Sequence, residues 1–207
     1  MAPSDRDPGR PDTSNVPSLH PLVRAAAGGA LPEWARASPG RRRHMERVAD
    51  LLERWARAFG LEDLETTRWR AAGMLHDVLR DADPQALRPM VAPEQRNRPG
   101  GMLHGPAAAA RLREAGVADD ALLLAVAWHT MGHPGLDRLG RALYLADYLE
   151  PGRDFDSERL ATLRDRVPDD LEAVLREVAA RRIHRSLEKG RPLLEPTISF
   201  WNDLIDG

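Results

Sequence analysis

The chain contains no cysteine. Disulfides, thiolate metal sites and a cysteine nucleophile are therefore excluded, and any metal must be held by imidazole, carboxylate and water. Those donors suit iron, manganese, zinc and similar divalent ions. No apolar run approaches the ~20 residues needed to cross a bilayer. The N-terminal MAPSDRDPGRPDTSNVP has acidic residues and prolines and lacks the apolar centre of a secretion signal, so a cytoplasmic protein that meets no membrane is expected. Lysine is almost missing too: Lys189 is the only one, and the remaining basic charge is arginine. The formal net charge is −2, so there is no overall excess of positive charge to draw nucleic acid or an anionic membrane. The short basic cluster at 41–43 has no aromatic platform beside it, and no nucleic-acid partner is expected.

What is present is 207 residues with 42% hydrophobic content, enough for one domain with a real core. Residues 1–17 have almost nothing to bury and should be disordered. Residues 18–37 hold short apolar patches around Leu22, Val23, Leu31 and Trp34, broken by Gly28, Gly29 and Pro32. They read as a loosely packed extension, which places the domain at 38–207.

From Ser38-Pro39 onward the pattern is helical. His44, Val48, Leu51, Leu52, Trp55 and Phe59 fall on one face of a long helix that Gly60 stops. Asp63 to Arg80 should form a second helix carrying Trp69, Ala72, Gly73, Leu75 and His76. A short helix follows Asp83-Pro84. An alanine-rich one begins near His104-Gly105-Pro106, and Asp119 caps another that runs to His129. Leu136, Leu139, Leu143 and Asp147 share a stripe before Pro151-Gly152. Residues 168–189 form an amphipathic helix with Leu171, Val174, Leu175, Val178, Ile183 and Leu187 inward, and EPTISFWNDLI closes the chain. No period-2 segment suggests a sheet, so the expected fold is an all-α helical bundle.

Several polar side chains lie within these apolar stripes: His44, the adjacent pair His76-Asp77, His104, His129 and Asp147. Taken singly, each has a plain explanation as a hydrogen-bonded core residue. Together they need a common partner, because unpaired buried histidines and aspartates are costly. A divalent cation is the economical one. His20, His133 and His184 are read as lying away from this set, with His133 exposed to solvent.

This ordered series resembles the signature of the HD-domain metal-dependent phosphohydrolases. The strings RRRHMERVADLLERWA, AAGMLHDVLRD, MLHGPAAA, AWHTMGHPG and LYLADYLEPGRDFD are similar to successive blocks of the YqeK family of bacterial HD-domain enzymes, over about residues 38–205. The resemblance implies an HD-domain bundle and symmetric hydrolysis of diadenosine tetraphosphate to two ADP. It implies metal ligands at His44, His76, Asp77 and Asp147, with iron favoured over manganese or another divalent ion. His104 and His129 would face the phosphates, with room for a second ion there, and Arg41 and Arg153 would contact phosphate. Arg80 stands where that family has lysine. Catalysis would fall to Asp77, as ligand and as base or orienter of the attacking water, assisted by His104 and His129. Arg41, Arg80 and Arg153 would clamp the remaining phosphates. The metal ligands alone do not separate this substrate from other nucleotides; Arg80 leaves open a nucleotide-binding regulatory protein of little turnover, which the complete ligand set does not favour, and the bundle suits either a monomer or a homodimer.

Overall fold

Serine followed by proline starts a helix cleanly: the hydroxyl satisfies a free N–H, and the ring occupies a position that needs no donor. In the computed structural model, which describes residues 18–153 and 156–206, Ser38 caps α2 (Pro39–Ala58) by accepting from the Arg41 N–H. The apolar face of α2 buries Val48, Leu52 and Trp55 against α3 (Asp63–Leu75). The two helices cross closely because Gly73 has no side chain. A Cβ there would lie 2.6 Å from the Ala49 backbone nitrogen.

The remaining helices complete the bundle. They are the single turn α4 (Pro84–Leu87), α5 (His104–Glu114), α6 (Asp120–Trp128), α7 (Arg138–Leu149), α8 (Ser157–Arg166), α9 (Leu171–Glu188) and α10 (Glu195–Asp206). Helix α6 packs between α5 and α7, and α7 in turn meets α2, α8 and α9. The described residues hold no strand, as the missing period-2 pattern implies. None of their helices is long and apolar enough to cross a membrane.

Four details differ from the sequence expectations. The stretch 18–37 is not loosely attached. It forms α1 (Pro21–Ala27), whose Val23 and Ala26 are fully buried in the common core. The expected disorder of residues 1–17 lies outside the described residues.

The second helix stops at Leu75 instead of reaching Arg80. The Arg36 N–H donates to the Val78 carbonyl at 2.7 Å and the Arg36 carbonyl accepts from Asp81 N–H at 3.1 Å. These bonds from the extension take over backbone groups that a continuing helix would use, and residues 76–82 become turns. Finally, Leu187 is 57% exposed. The buried stripe of α9 runs through Leu171, Val174, Leu175 and Val178 and ends at Arg182, one turn on, rather than at Ile183 and Leu187. Helix α8, with Leu160 and Leu163 buried, was not anticipated.

Arg68 ties α3 to the start of α6. Its guanidinium meets Asp119 at 2.5 and 2.8 Å and Glu65 at 2.6 Å, while Asp119 also accepts the Leu122 N–H as N-cap. Burial alone would raise the Asp119 pKa, but Arg68 and the helix N–H groups outweigh it and hold the carboxyl below its usual range. Its folded pKa lies below its unfolded one, so the contribution is complete above the unfolded value, about 4, and is lost as pH falls through the folded value. Asp119→Asn keeps the cap and removes the charge. It should cost about 2 kcal/mol at pH 7. Urea unfolding should show the gap between the variant and the parent closing as pH falls below about 4; a pH-independent gap would contradict the assignment.

Candidate metal centre

A backbone carbonyl can only accept a hydrogen bond, so an imidazole nitrogen facing one must carry the proton. Three of the buried histidines are held in this way. His76 Nδ1 lies 2.7 Å from the Gly73 carbonyl, His104 Nδ1 2.9 Å from Gly101 and His129 Nδ1 2.8 Å from Val126. In each case the acceptor is three residues upstream, at a helix end or in the turn before a helix. The fourth, His44 on α2, places Nδ1 3.2 Å from Glu150 Oε1. All four rings therefore turn Nε2 toward the centre, the orientation in which a neutral imidazole ligates metals.

The Nε2 atoms converge in two pairs. His44 and His76 lie 3.3 Å apart, and His104 and His129 3.1 Å. Asp77 sits between them. Its Oδ2 is 3.6 Å from both His44 Nε2 and His76 Nε2, and its Oδ1 is 3.0 Å from His104 and 3.5 Å from His129. Two lone pairs at about 3 Å repel unless a cation or proton lies between them. The donor set thus fits divalent metal, in two clusters that share Asp77: His44, His76 and Asp77 on one side, Asp77, His104 and His129 on the other.

Two close approaches make this convergence sterically feasible. Gly73 lets α3 reach α2 and so brings His76 to His44. Gly105 does the same for α5 and α6: a Cβ there would sit 2.8 Å from the Val126 and Ala127 carbonyl oxygens. The Val126 carbonyl is the one that orients His129.

Charge around the centre is arranged accordingly. Burial drives the His76 pKa down to about 3, so its lone pair stays free near neutral pH. Burial likewise lowers His104. For His44 burial acts in the same direction, but hydrogen bonds to Asp147 and Glu150 and the charges of Asp147 and Asp77 outweigh it and raise the pKa. Burial of Asp77 is more than offset by His76, His104 and His129, which hold its carboxylate well below the usual range.

The other expected residues are placed around this core. Asp147, late in α7, faces His44 Nε2 at 3.3 Å. Arg41 donates to Asp77 Oδ2 at 2.7 Å, and Arg153 donates to the Asp147 carboxylate at 2.9 Å. Arg80 is exposed at the cleft edge and makes no side-chain hydrogen bond among the described residues. His133 is half-buried rather than exposed: its ring stacks on Trp128 at 5.0 Å, and Nδ1 accepts the Gly135 N–H. His20 caps α1, and His184 pairs with Glu188 on the surface. None of these three enters the cluster.

Sequence reasoning did not assign three further contributors. Glu150 is 2% exposed. Burial would raise its pKa, but His44, Arg47 and the Gly152 N–H together pull it to about 2. Arg182 reaches from α9 to Asp147 Oδ2 at 3.0 Å and the Thr130 carbonyl at 3.0 Å, with its guanidinium over the Tyr144 ring at 4.3 Å. Its position at the end of the buried stripe of α9 was the available signal. The α9–α10 connection, Arg191 to Leu194, forms one wall of the cleft.

That cleft has a volume of about 640 Å³ and opens over Asp77, His104, His129 and Asp147. Arginines 41, 80, 153, 182 and 191 surround it, and Met102, Met131, Tyr144 and Leu193 supply apolar surface. The size suits a nucleotide-scale ligand, and the guanidiniums suit phosphate.

Helix-borne histidines around a histidine-aspartate pair define a class, and the chain belongs to it: residues 41–152 match the HD domain family. Within that class it is similar to enzymes named symmetrical bis(5′-nucleosyl)-tetraphosphatase. The one from Halalkalibacterium halodurans is 26% identical over 167 residues, covering 78% of this chain and 84% of the relative. The one from Bacillus subtilis is 29% identical over 144 residues, covering 66% and 75%. Among solved structures, a predicted HD superfamily hydrolase involved in NAD metabolism from Clostridium acetobutylicum superposes with a TM-score of 0.70 at 27% identity, covering 89% of this chain and 95% of that one.

Two substitutions test the centre. Glu150→Gln removes the carboxylate that fixes His44, and metal affinity should fall about 10–100-fold, read by competition with a coloured chelator. Gly73→Ala should separate α2 from α3, with a stability loss of about 1–3 kcal/mol and reduced metal content. An unchanged metal affinity in both would show that neither contact sets the geometry.

Proposed function

We propose that the protein is a metal-dependent hydrolase that cleaves diadenosine tetraphosphate symmetrically into two ADP. The observation that carries this reading is the paired cluster on Asp77 at the floor of an arginine-lined cleft. Its similarity to enzymes named for that activity supports it.

His44, His76, Asp77 and Asp147 would hold one divalent ion, iron being the favoured candidate, and His104 and His129 would hold a second with Asp77 between. Bound metal would supply a nucleophilic water near neutral pH and neutralise phosphate oxygens. The chain does the rest. Asp77, with both oxygens committed to the centre and to Arg41, orients the attacking water. His104 and His129 face the reacting phosphoryl group. Arg41, Arg80 and Arg153 grip the flanking phosphates with charged forks, which draws negative charge away from the bond that breaks. Arg182 keeps Asp147 aimed at the centre and supports the Thr130 carbonyl beside His129.

The deciding experiment is incubation of iron- or manganese-loaded protein with diadenosine tetraphosphate and separation of the products by ion exchange. ADP as sole product is expected; AMP plus ATP would refute symmetric cleavage. His76→Ala and Asp77→Ala should each lose metal and reduce turnover to background. Arg153→Ala should raise KM about tenfold, the loss of one charge-assisted contact of roughly 1.4 kcal/mol.

A further inference from the structure

A second hollow lies on the other side of Arg41 and Arg153. It is shallow, about 600 Å³, and both arginines line it as well as the main cleft. Arg47 and Arg185 join them, and Gly40 and Gly152 leave part of its floor as bare backbone. His44 opens onto it, so the hollow reaches the flank of the metal centre. Its one acid, Glu150, is already engaged: Arg47 lies 2.5 Å away, His44 3.2 Å and the Gly152 N–H 2.6 Å. Arg41 Nε is buried with no hydrogen-bond partner; Asp81 Oδ1 is 3.8 Å from it.

The two hollows differ in what they can recognise. The main cleft has Met102, Met131, Tyr144 and Leu193, surface on which a base can rest. Apart from the His44 imidazole, no aliphatic or aromatic side chain lines the second among the described residues. Four guanidiniums around exposed backbone form an anion site with nothing to read a base.

Resting on the reading that the substrate carries a polyphosphate chain, we infer that this hollow receives the phosphates of the substrate's second half and does not select the nucleoside beyond them. Arg41 and Arg153 then mark the crossing point of the chain. One consequence is a further substrate class, nucleoside tetraphosphates with a free terminal phosphate. The water oxygen bonds to one inner phosphorus and the central P–O–P bridge breaks. Diadenosine tetraphosphate leaves as two ADP, and adenosine 5′-tetraphosphate as ADP and pyrophosphate.

The test compares both tetraphosphates on the metal-loaded full chain, with Arg185→Glu and, as a charge-matched control, Lys189→Glu, which lies four residues on, at the C-cap of α9, and outside both hollows. The free-ended substrate should be cleaved to ADP and pyrophosphate with kcat/KM within about fivefold of the two-ended one, a difference of roughly 1 kcal/mol. Arg185→Glu should lower kcat/KM for both by about tenfold, mainly through KM, while the control changes neither by more than about twofold. Normal turnover of diadenosine tetraphosphate with a free-ended substrate cleaved over about 100-fold more slowly would overturn the inference, because the second nucleoside would then be read. So would equal behaviour of the two charge reversals. Failure of the parent protein to hydrolyse either compound would instead refute the proposed function, and this inference with it. Unchanged helical circular dichroism in Arg185→Glu would confirm that the comparison is between folded proteins.

Discussion

The orientation of four imidazole rings governs the rest of this molecule. Each ring gives its Nδ1–H to a fixed acceptor, three backbone carbonyls and one buried carboxylate, and so must present Nε2 to a shared centre. The acceptors are rigid because they belong to helix ends, to the turn before a helix and to the Glu150 network. Four lone pairs facing one another are unfavourable in a dry interior, and a metal ion relieves this. The fold therefore carries a stored electrostatic demand, which makes metal binding and the packing of the helices parts of one equilibrium.

That demand can be held only if the helices approach more closely than ordinary side chains allow. Gly73 and Gly105 provide the two approaches, one for each half of the cluster. The Arg36 backbone then ends α3 at Leu75 and sets residues 76–82 in turns. The segment 18–37 thus contributes to the centre without contributing a ligand. It buries Val23 and Ala26 in the core, and its last residues clip the turn that follows the histidine-aspartate pair. Ser38 adds a further tie, its N–H donating to Asp81 at 2.8 Å.

The helical architecture and the clustered residues were legible because each clustered residue breaks an apolar stripe, and a polar residue at an inward position is visible in a single sequence. Helix α8 was equally visible in its Leu160 and Leu163 spacing and was overlooked. Arg182 was legible in the same way, as a charge at the end of the Leu171–Val178 stripe, but Ile183 and Leu187 drew the inferred face one residue aside. Glu150 was hidden differently. It lies beside Pro151-Gly152, where an acid reads as a loop residue, and only the tertiary fold shows that it is buried against His44. The Arg36 clip leaves no trace in the sequence, because backbone hydrogen bonds between distant segments depend on no particular side chain. The same holds for the wall from Arg191 to Leu194, whose place over the cleft follows from how α9 and α10 pack.

The distribution of charge carries the last step. Asp77, Asp147 and Glu150 are each met by arginine: Arg41 at Asp77, Arg153 and Arg182 at Asp147, Arg47 at Glu150. Were metal to join these pairs, the cluster would hold more positive charge than its carboxylates can neutralise. An arrangement of that kind would be unfavourable alone and favourable around a polyanion, as the proposed polyphosphate substrate requires. The arginines that can turn toward such a substrate are those at the edge. Among the described residues Arg80 has no side-chain hydrogen bond to give up, and Arg153 is a third exposed. Arg182, pinned beneath Asp147 and over Tyr144, is not free to do so. Arg182 therefore serves only to hold a ligand, whereas under the proposed function Arg80 would meet only phosphate and Arg41 and Arg153 would do both.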